Sequence, residues 1–143
     1  MIVYQFNPLT GKLDAVLENF GFDGICPTSV AIGDLVYVTG PLSGDLLQVA
    51  KVDITQLAKM PALGIVVEKA STTECTFVSC GPVQMSGLIP NARYYAGLDG
   101  RPTSTPPTAA LAGRPIFFQV IGVALEAGTM FFQPSYDLVK LIG

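Results

Sequence analysis

Hydrophobic and polar residues alternate in short runs along most of this chain, and turn-forming residues separate the runs. The pattern is clearest in residues 60–107, where the apolar runs Ala62–Val67 and Cys75–Cys80 flank the polar segment Glu68–Glu74. A third run, Arg93–Ala96, lies between two further turn signals. Short runs of β-branched and aromatic residues bounded by Gly, Pro, Asn and Asp are typical of strands. We therefore predict three strands joined by turns in this stretch, with no helix.

The N-terminal half continues the same pattern. It predicts the strands Ile2–Phe6, Lys12–Leu17, Leu35–Val38 and Leu46–Val52, turns at Asn7–Gly11 and Gly40–Asp45, and a loop at Glu18–Thr28. The first two strands are expected to pair as a hairpin, and the alternative is an arm that docks on a neighbouring molecule. One short helical turn is predicted near residues 53–60, with Asp53 as N-cap, Gln56 three residues later and Pro61 as its end. A 3₁₀ turn is the alternative there.

The C-terminal part contains the longest apolar run, Arg114–Leu125, which follows an exposed Pro- and Thr-rich connector at Ser104–Gly113. Its length and its Ile, Phe and Val content favour one strand over a helix. Gly122 within it predicts a bulge or a close approach of another backbone. Thr129–Gln133 is expected to pair with it, before a released tail at 136–142.

These elements predict an all-β fold, because about eight to ten short strands alternate with turn signals and no helical period is present. We expect a single compact antiparallel β-barrel or β-sandwich with short turns, at most one short helix and extended N- and C-terminal segments. One domain is expected over 1–143. It comprises an N-terminal hairpin or docking arm (1–17), a β core (29–133) and a C-terminal tail (134–143).

The composition adds an expectation about the surface. Only 13% of residues are charged, against about 25% in an ordinary globular domain. We infer that subunits or partners cover part of the surface, and the alternative is a rigid Gly- and Pro-rich domain with a neutral polar surface. The net charge of −3, with scattered Lys and Arg, predicts no nucleic-acid partner. No apolar run approaches the roughly 20 residues that span a bilayer, and no signal peptide is evident, so no membrane association is expected.

The side chains show no constellation for catalysis. Histidine is absent, which removes the commonest general base and metal ligand. The carboxylates are dispersed, and Asp34, Asp45 and Asp99 have the sequence context of solvated turn residues, with a hairpin turn at Asp99–Arg101. We therefore predict a protein that is not an enzyme, with no catalytic, cofactor-binding or metal-binding residues, no cofactor and no small-molecule substrate.

The three cysteines, Cys26, Cys75 and Cys80, are an odd number, which argues against a disulfide framework. Because Cys75 and Cys80 are five positions apart in one strand, they are expected on opposite faces. We predict three reduced thiols, two of which act as small hydrophobic residues. The adjacent aromatic pairs Tyr94-Tyr95, Phe117-Phe118 and Phe131-Phe132 either expose one member each or mark strands that are buried on both faces.

Several segments together resemble small β-rich virion proteins of tailed bacteriophages. The resemblance is carried by Phe6–Asp14, Gly33–Val38, Lys59–Val67, Gly87–Tyr95 with Gly97 and Asp99-Gly100, Thr103–Pro107 and Gln119–Leu125. It covers most of 33–125 and the N-terminal element. Its motifs are strand and turn signatures, which specify the fold more strongly than the position in a particle.

The resemblance implies a capsid decoration or cement protein, because a separate chain of this length without heptads does not suit a fibre shaft. Its expected partners are the major capsid protein and further copies of itself in a homotrimer, on the capsid exterior of particles that assemble in the host cytoplasm. Segments 1–17 and 136–143 are the candidate contacts. The alternatives are a tail-fibre or receptor-binding protein, with exposed loop 98–107 on the host surface, and a head–tail connector or baseplate component.

Overall fold

The computed structural model describes residues 2–7, 12–17, 20–107 and 114–141, and for 2–7, 12–17 and 20 the description covers the backbone. The elements of this part of the chain are β1 (Ile2–Asn7), β2 (Lys12–Leu17), β3 (Phe20–Ile25), β4 (Leu35–Ser43), β5 (Leu46–Lys51), a 3₁₀ helix (Leu57–Lys59), β6 (Gly64–Lys69), β7 (Glu74–Gln84), β8 (Arg93–Ala96), β9 (Pro102–Thr103), β10 (Ile116–Phe118), β11 (Val120–Glu126), β12 (Thr129–Phe132) and β13 (Val139–Leu141). The prediction of an all-β fold is confirmed.

Five strands form a closed ring in the order β3, β5, β4, β6 and β7, because β3 pairs with both β5 and β7. All these pairings are antiparallel except that of β3 with β5, where Gly24 lies opposite Leu47 and Ile25 opposite Gln48 in parallel register. The β3–β5 pair is thus the one place in the ring where the pairing differs from the predicted antiparallel arrangement.

Strand β7 also carries the sheet beyond the ring. Its first part pairs with β3 and β6, whereas its last four residues, from Gly81 to Gln84, pair with β12. Gly81 has a φ of 123°, which suits glycine and few other residues. From β12 the sheet continues through β11 and β8 to the short edge strand β9.

Two buried clusters follow from this arrangement. One includes Val36, Val49, Val66 and Phe77, which come from β4, β5, β6 and β7 respectively, and we place it inside the ring. The other, which we call the main core, joins the neighbouring residues Leu35, Ile65 and Val78 to the second part of the sheet, including Ile121, Met130 and Phe132. Strands β4, β6 and β7 are thus buried on both faces at these positions, which explains why their apolar runs do not alternate strictly.

The prediction of a loop at Glu18–Thr28 is wrong, because β3 occupies most of that segment. The wrong prediction came from the glycines of this segment, because glycine is common in loops. A Cβ on Gly24 would stand 3.1 Å from both the Leu47 carbonyl oxygen and the Phe77 ring. Gly24 therefore permits a close approach of Phe77 and β5 to a strand, rather than breaking the strand.

The predicted single strand Arg114–Leu125 is divided at Gln119 into β10 and β11. Gln119 is fully buried and its side chain is held by backbone groups, so the chain changes pairing partner there. Gly122 confirms the predicted irregularity: the β11–β8 register shifts between Val120 and Gly122. A Cβ on Gly122 would also collide with the carbonyl oxygen of Phe131. The expected pairing of β11 with β12 is confirmed.

Two other boundaries differ from the predictions. Strand β4 extends to Ser43, so the turn before β5 is reduced to Gly44-Asp45, with Gly44 at a φ of 65°. Near residues 53–60 the 3₁₀ alternative is correct, and Gln56 rather than Asp53 precedes the helix as its N-cap. The Asp53 carboxylate instead accepts hydrogen bonds from the Thr55 backbone N–H and hydroxyl and from the Gln56 amide.

The two chain ends are arranged differently. Strands β1 and β2 pair antiparallel, from Ile2 opposite Leu17 to Asn7 opposite Lys12, and form a sheet of their own. This confirms the hairpin; of its predicted turn at Asn7–Gly11, Asn7 belongs to β1 and residues 8–11 lie outside the described residues. The predicted release of the tail is wrong for Val139–Leu141, because these residues form β13 and pair with β10.

Candidate functional site

Three loops contribute residues to the lining of one cavity: residues 26–34 before β4, 85–92 after β7 and 97–101 between β8 and β9. We call these three loops together the loop face. A cavity of about 300 Å³ lies among them, and Ile32, Ser86 and Arg101 each line it from a different loop. The predicted hairpin turn at Asp99–Arg101 is confirmed, because β8 and β9 pair antiparallel across it.

The carboxylate of Asp34 fixes two of these loops. It is 1% exposed, and its Oδ2 accepts a 2.9 Å hydrogen bond from the Ala31 backbone N–H. Its Oδ1 lies 3.3 Å from Arg101 Nη1 and 3.6 Å from Lys51 Nζ. A buried carboxylate requires such partners. The prediction of a solvated turn residue is therefore wrong for Asp34, whereas Asp45 and Asp99 are exposed as expected.

The backbone reinforces this arrangement. Gly33 has a φ of 93°, and a Cβ at that position would collide with the Arg101 guanidinium. Arg101 Nη2 also donates to the Ile32 carbonyl at 3.4 Å, and the Leu35 backbone N–H donates to the Gly100 carbonyl at 2.9 Å. The loops before β4 and after β8 are thus locked together through both side-chain and main-chain bonds.

Aliphatic side chains project from these anchored loops. Ile32 is 57% exposed, and Ile89 and Leu98 are each 56% exposed. The loop that carries Ile89 is itself held, because the Ile89 backbone N–H donates to the Tyr94 hydroxyl at 2.9 Å. Burial of such exposed apolar side chains against a partner protein is favourable, because it removes their surface from water.

A wider groove of about 570 Å³ adjoins the cavity and shares Val67, Val83 and Gln84 with it. Its polar side chains include Glu126, whose Oε1 accepts a hydrogen bond from the Thr129 hydroxyl at 3.0 Å. The volume is in the range of ligand pockets.

In the described part of the chain, no group of three or more His, Cys, Asp and Glu side chains could hold a metal ion. None of the described helices is long and apolar enough to cross a membrane.

Two of the three cysteines meet inside the ring. Lys69 Nζ lies 3.3 Å from Cys26 Sγ and donates to the carbonyls of Val30 at 2.8 Å and Thr72 at 3.0 Å. Burial is the main cause that raises the pKa of Cys75 to about 12, and a hydrogen bond with the Cys26 side chain adds to it. Cys75 therefore remains a thiol at neutral pH. All three cysteines are free, as predicted, and Cys80 is only half-buried.

The segments predicted to make contacts are not brought together into one site by the described residues. Hairpin β1–β2 stands as a separate sheet, and its side chains lie outside the description. In the tail, Tyr136 is 57% and Val139 53% exposed, although Leu138 and Leu141 pack against the main core. Of the loop 98–107, Leu98 and Arg101 belong to the loop face.

Each adjacent aromatic pair has one buried and one half-buried member. Tyr94, Phe117 and Phe132 are buried in the main core, whereas Tyr95, Phe118 and Phe131 are half-buried. Tyr95 and Phe118 pack on each other with ring centroids 5.0 Å apart. In each pair, one ring packs in the core and the other lies on a partly covered surface. This result is intermediate between the two predicted alternatives, which were one exposed member and burial on both faces.

No protein-family model, no curated protein and no solved structure matches this chain.

Sequence reasoning missed the loop face because its parts are far apart in the chain. Arg101 binds Asp34 across 67 positions. The available signal was a pair of opposite charges, each beside a glycine in a turn, in a chain that carries few charges. That signal does not by itself indicate which turns meet.

Proposed function

We propose that this chain is a structural protein of the bacteriophage virion, a capsid decoration protein that binds the outer capsid lattice and stabilises the head. The resemblance of its strand and turn motifs to small phage virion proteins supplies this class. The observation that carries the proposal is the loop face, where three aliphatic side chains, each more than half exposed, project from loops anchored at their bases.

The physical basis of the proposed activity is binding linked to assembly. A protein that binds the assembled shell, and not its dissociated subunits, stabilises the shell by mass action. Rigid loops favour this role, because little conformational entropy is lost when they bind. The proposed partners are the major capsid protein and further copies of this chain in a homotrimer, and the proposed location is the capsid exterior. Binding, and not catalysis, is the proposed activity.

Hairpin β1–β2 is the second element that supports the proposal. It pairs within itself and belongs to neither of the other sheets of the described chain. A two-stranded hairpin alone is marginally stable in water. We therefore assign it a docking role against the shell or a neighbouring subunit, in line with the sequence-based expectation for residues 1–17.

A receptor-binding protein of the tail fibre is the second candidate, and the exposure of Leu98 within the loop 98–107 favours it. Electron microscopy of phage particles labelled with an antibody against this chain separates the two. Label distributed over the head supports decoration. Label confined to the tail tip selects the receptor-binding candidate, and label at the neck or baseplate selects a connector component; both results reject decoration.

A further inference from the structure

The sheet formed by β7, β12, β11 and β8 has one face in the main core and one face turned away from it. Ile121, Ala124, Met130 and Phe132 are buried on the inner side. On the other side Val123 is 38% and Leu125 49% exposed. We call this other side the outer face.

The apolar residues of the outer face are contiguous. Val123 on β11 lies directly opposite Phe131 on β12, and Phe131 is half-buried. Residues that face each other on adjacent strands have their side chains on the same side of the sheet. The register then shifts between Ala124 and Glu126, so Leu125 is the extra residue of a bulge and stays exposed. Val123, Leu125 and Phe131 therefore form one apolar patch.

Opposite charges border this patch at separate positions. Arg93 on β8 lies opposite Val123, on the side away from Phe131. Glu126 follows Leu125 at the end of β11 and lies opposite Thr129. Both charged side chains are exposed, and the ion pairs of the described residues, which join Asp34 to Lys51 and Arg101, involve neither of them. Glu126 uses Oε1 for the Thr129 hydroxyl.

We propose that further copies of this chain cover the outer face, with Arg93 of one copy against Glu126 of the next. The charge pattern selects this occupant, because a surface with an apolar centre and one charge of each sign at its borders is complementary to itself. A ring such as a trimer closes when one part of each subunit's surface meets a different part of the next copy, as Arg93 meets Glu126 in this arrangement. Association buries Val123, Leu125 and Phe131 and gives each of the two unpaired charges a partner.

The inference rests on the proposed function only for the number of copies, which is three in a homotrimer. Its test uses the purified chain and needs no phage. Sedimentation analysis of the purified chain over a range of concentrations gives the mass and the dissociation constant of the assembly. We expect an oligomer that Val123→Lys weakens at least about tenfold, since a buried charge without a partner opposes association. The matched control is Leu57→Lys, because Leu57 is 58% exposed on the 3₁₀ helix; it leaves the dissociation constant unchanged.

A charge exchange tests the pairing itself. Arg93→Glu and Glu126→Arg each place like charges together and weaken the assembly, whereas the double variant restores it. Circular dichroism and thermal unfolding verify that each variant is folded. A chain that is monomeric at every concentration overturns the inference, and so does an oligomer that Val123→Lys and Leu57→Lys affect equally. Failure of the double variant to recover rejects the assigned ion pair. A monomer that still binds the capsid overturns the inference and leaves the proposed function in place.

Discussion

Gln119 and Ala62 exchange two hydrogen bonds across the main core, although they are 57 positions apart in the chain. The Ala62 backbone N–H donates to Gln119 Oε1 at 2.8 Å, and Gln119 Nε2 donates back to the Ala62 carbonyl at 3.0 Å. The same Nε2 donates to the Ser135 carbonyl at 2.8 Å. One side chain between β10 and β11 thereby satisfies backbone groups of the segment before β6 and of the C-terminal segment.

Replacement of this amide is expected to be costly. Gln119→Leu keeps the apolar bulk but leaves the N–H and carbonyl of the buried Ala62, and the carbonyl of the half-buried Ser135, without their partner. Each unsatisfied buried group costs about 1–3 kcal/mol, so we expect a loss of roughly 3 kcal/mol or more in the free energy of unfolding. Urea denaturation measures it. The control is Gln48→Leu, which removes a surface hydrogen bond from Gln48 Nε2 to the Pro41 carbonyl and should cost less than about 1 kcal/mol. Equal losses in the two variants would contradict this role.

Gly122 within strand β11 and Gly128 in the β11–β12 turn provide a second test. Gly122→Ala forces a methyl group against the Phe131 carbonyl, whereas the nearest atom to a Cβ on Gly128 is the Met85 carbonyl oxygen at 3.9 Å. We expect Gly122→Ala to lower the free energy of unfolding by about 1–3 kcal/mol. Gly128→Ala should change it by about 0.5 kcal/mol or less. If Gly122→Ala is as stable as Gly128→Ala, the close approach of the two strands is not as described.

The thiol of Cys75 should make stability fall in alkaline solution. Its pKa is raised from an ordinary value of 9.0 to about 12, chiefly by burial. Between these two values the unfolded chain releases the proton and the folded chain retains it. The contribution of the buried thiol to the free energy of unfolding is therefore complete below about pH 9 and declines as the pH rises toward about 12.

The variant Cys75→Ala isolates this effect, because Tyr and Lys side chains titrate in the same range in both proteins. The difference in unfolding free energy between the native chain and Cys75→Ala should shrink from pH 8 to pH 11, as measured by urea denaturation at each pH. Cys80→Ala is the matched control, since Cys80 is only half-buried. A constant difference for Cys75→Ala across this range would show that the thiol is not protected in the fold.

Much of the fold could be predicted from the sequence because most strand ends coincide with turn chemistry. Strand β8 was predicted with its observed bounds, since the turn signals Pro90-Asn91 and Leu98-Asp99-Gly100 lie on its two sides. Strand β3 was missed because Gly24 was interpreted as a loop residue, whereas the glycine is required by the Phe77 ring of β7. The break at Gln119 was missed because it also depends on distant contacts. The Gln119 side chain is bonded to backbone groups of Ala62 and Ser135, which the local sequence does not reveal.

The loop face could not be predicted from the sequence for a physical reason. A carboxylate in a Gly-Asp turn ordinarily stays in water, and only the approach of Arg101 and Lys51 permits the burial of Asp34. The outer face could be predicted only in part. The scarcity of charges predicts that some surface is covered, but which apolar residues share the outer face follows only from the β11–β12 register and its bulge.

Removal of residues 1–17 tests the docking role of the hairpin. Because β1 and β2 pair only with each other among the described strands, we expect the truncated chain to keep the unfolding temperature of the remaining domain. We expect it to lose occupancy on the capsid and to lower the heat resistance of the particle. Densitometry of purified particles and thermal release of DNA measure these quantities. Unchanged occupancy together with unchanged particle stability would refute the role of the hairpin.

The number of copies of this chain in a purified phage particle tests the proposed function most directly. Quantitative mass spectrometry against the major capsid protein gives that number. A decoration protein repeats with the capsid lattice, so we expect on the order of hundreds of copies in a fixed ratio to the major capsid protein. A count of about a dozen or fewer, as a connector, baseplate or fibre imposes through its rotational symmetry, would contradict the assignment to the capsid.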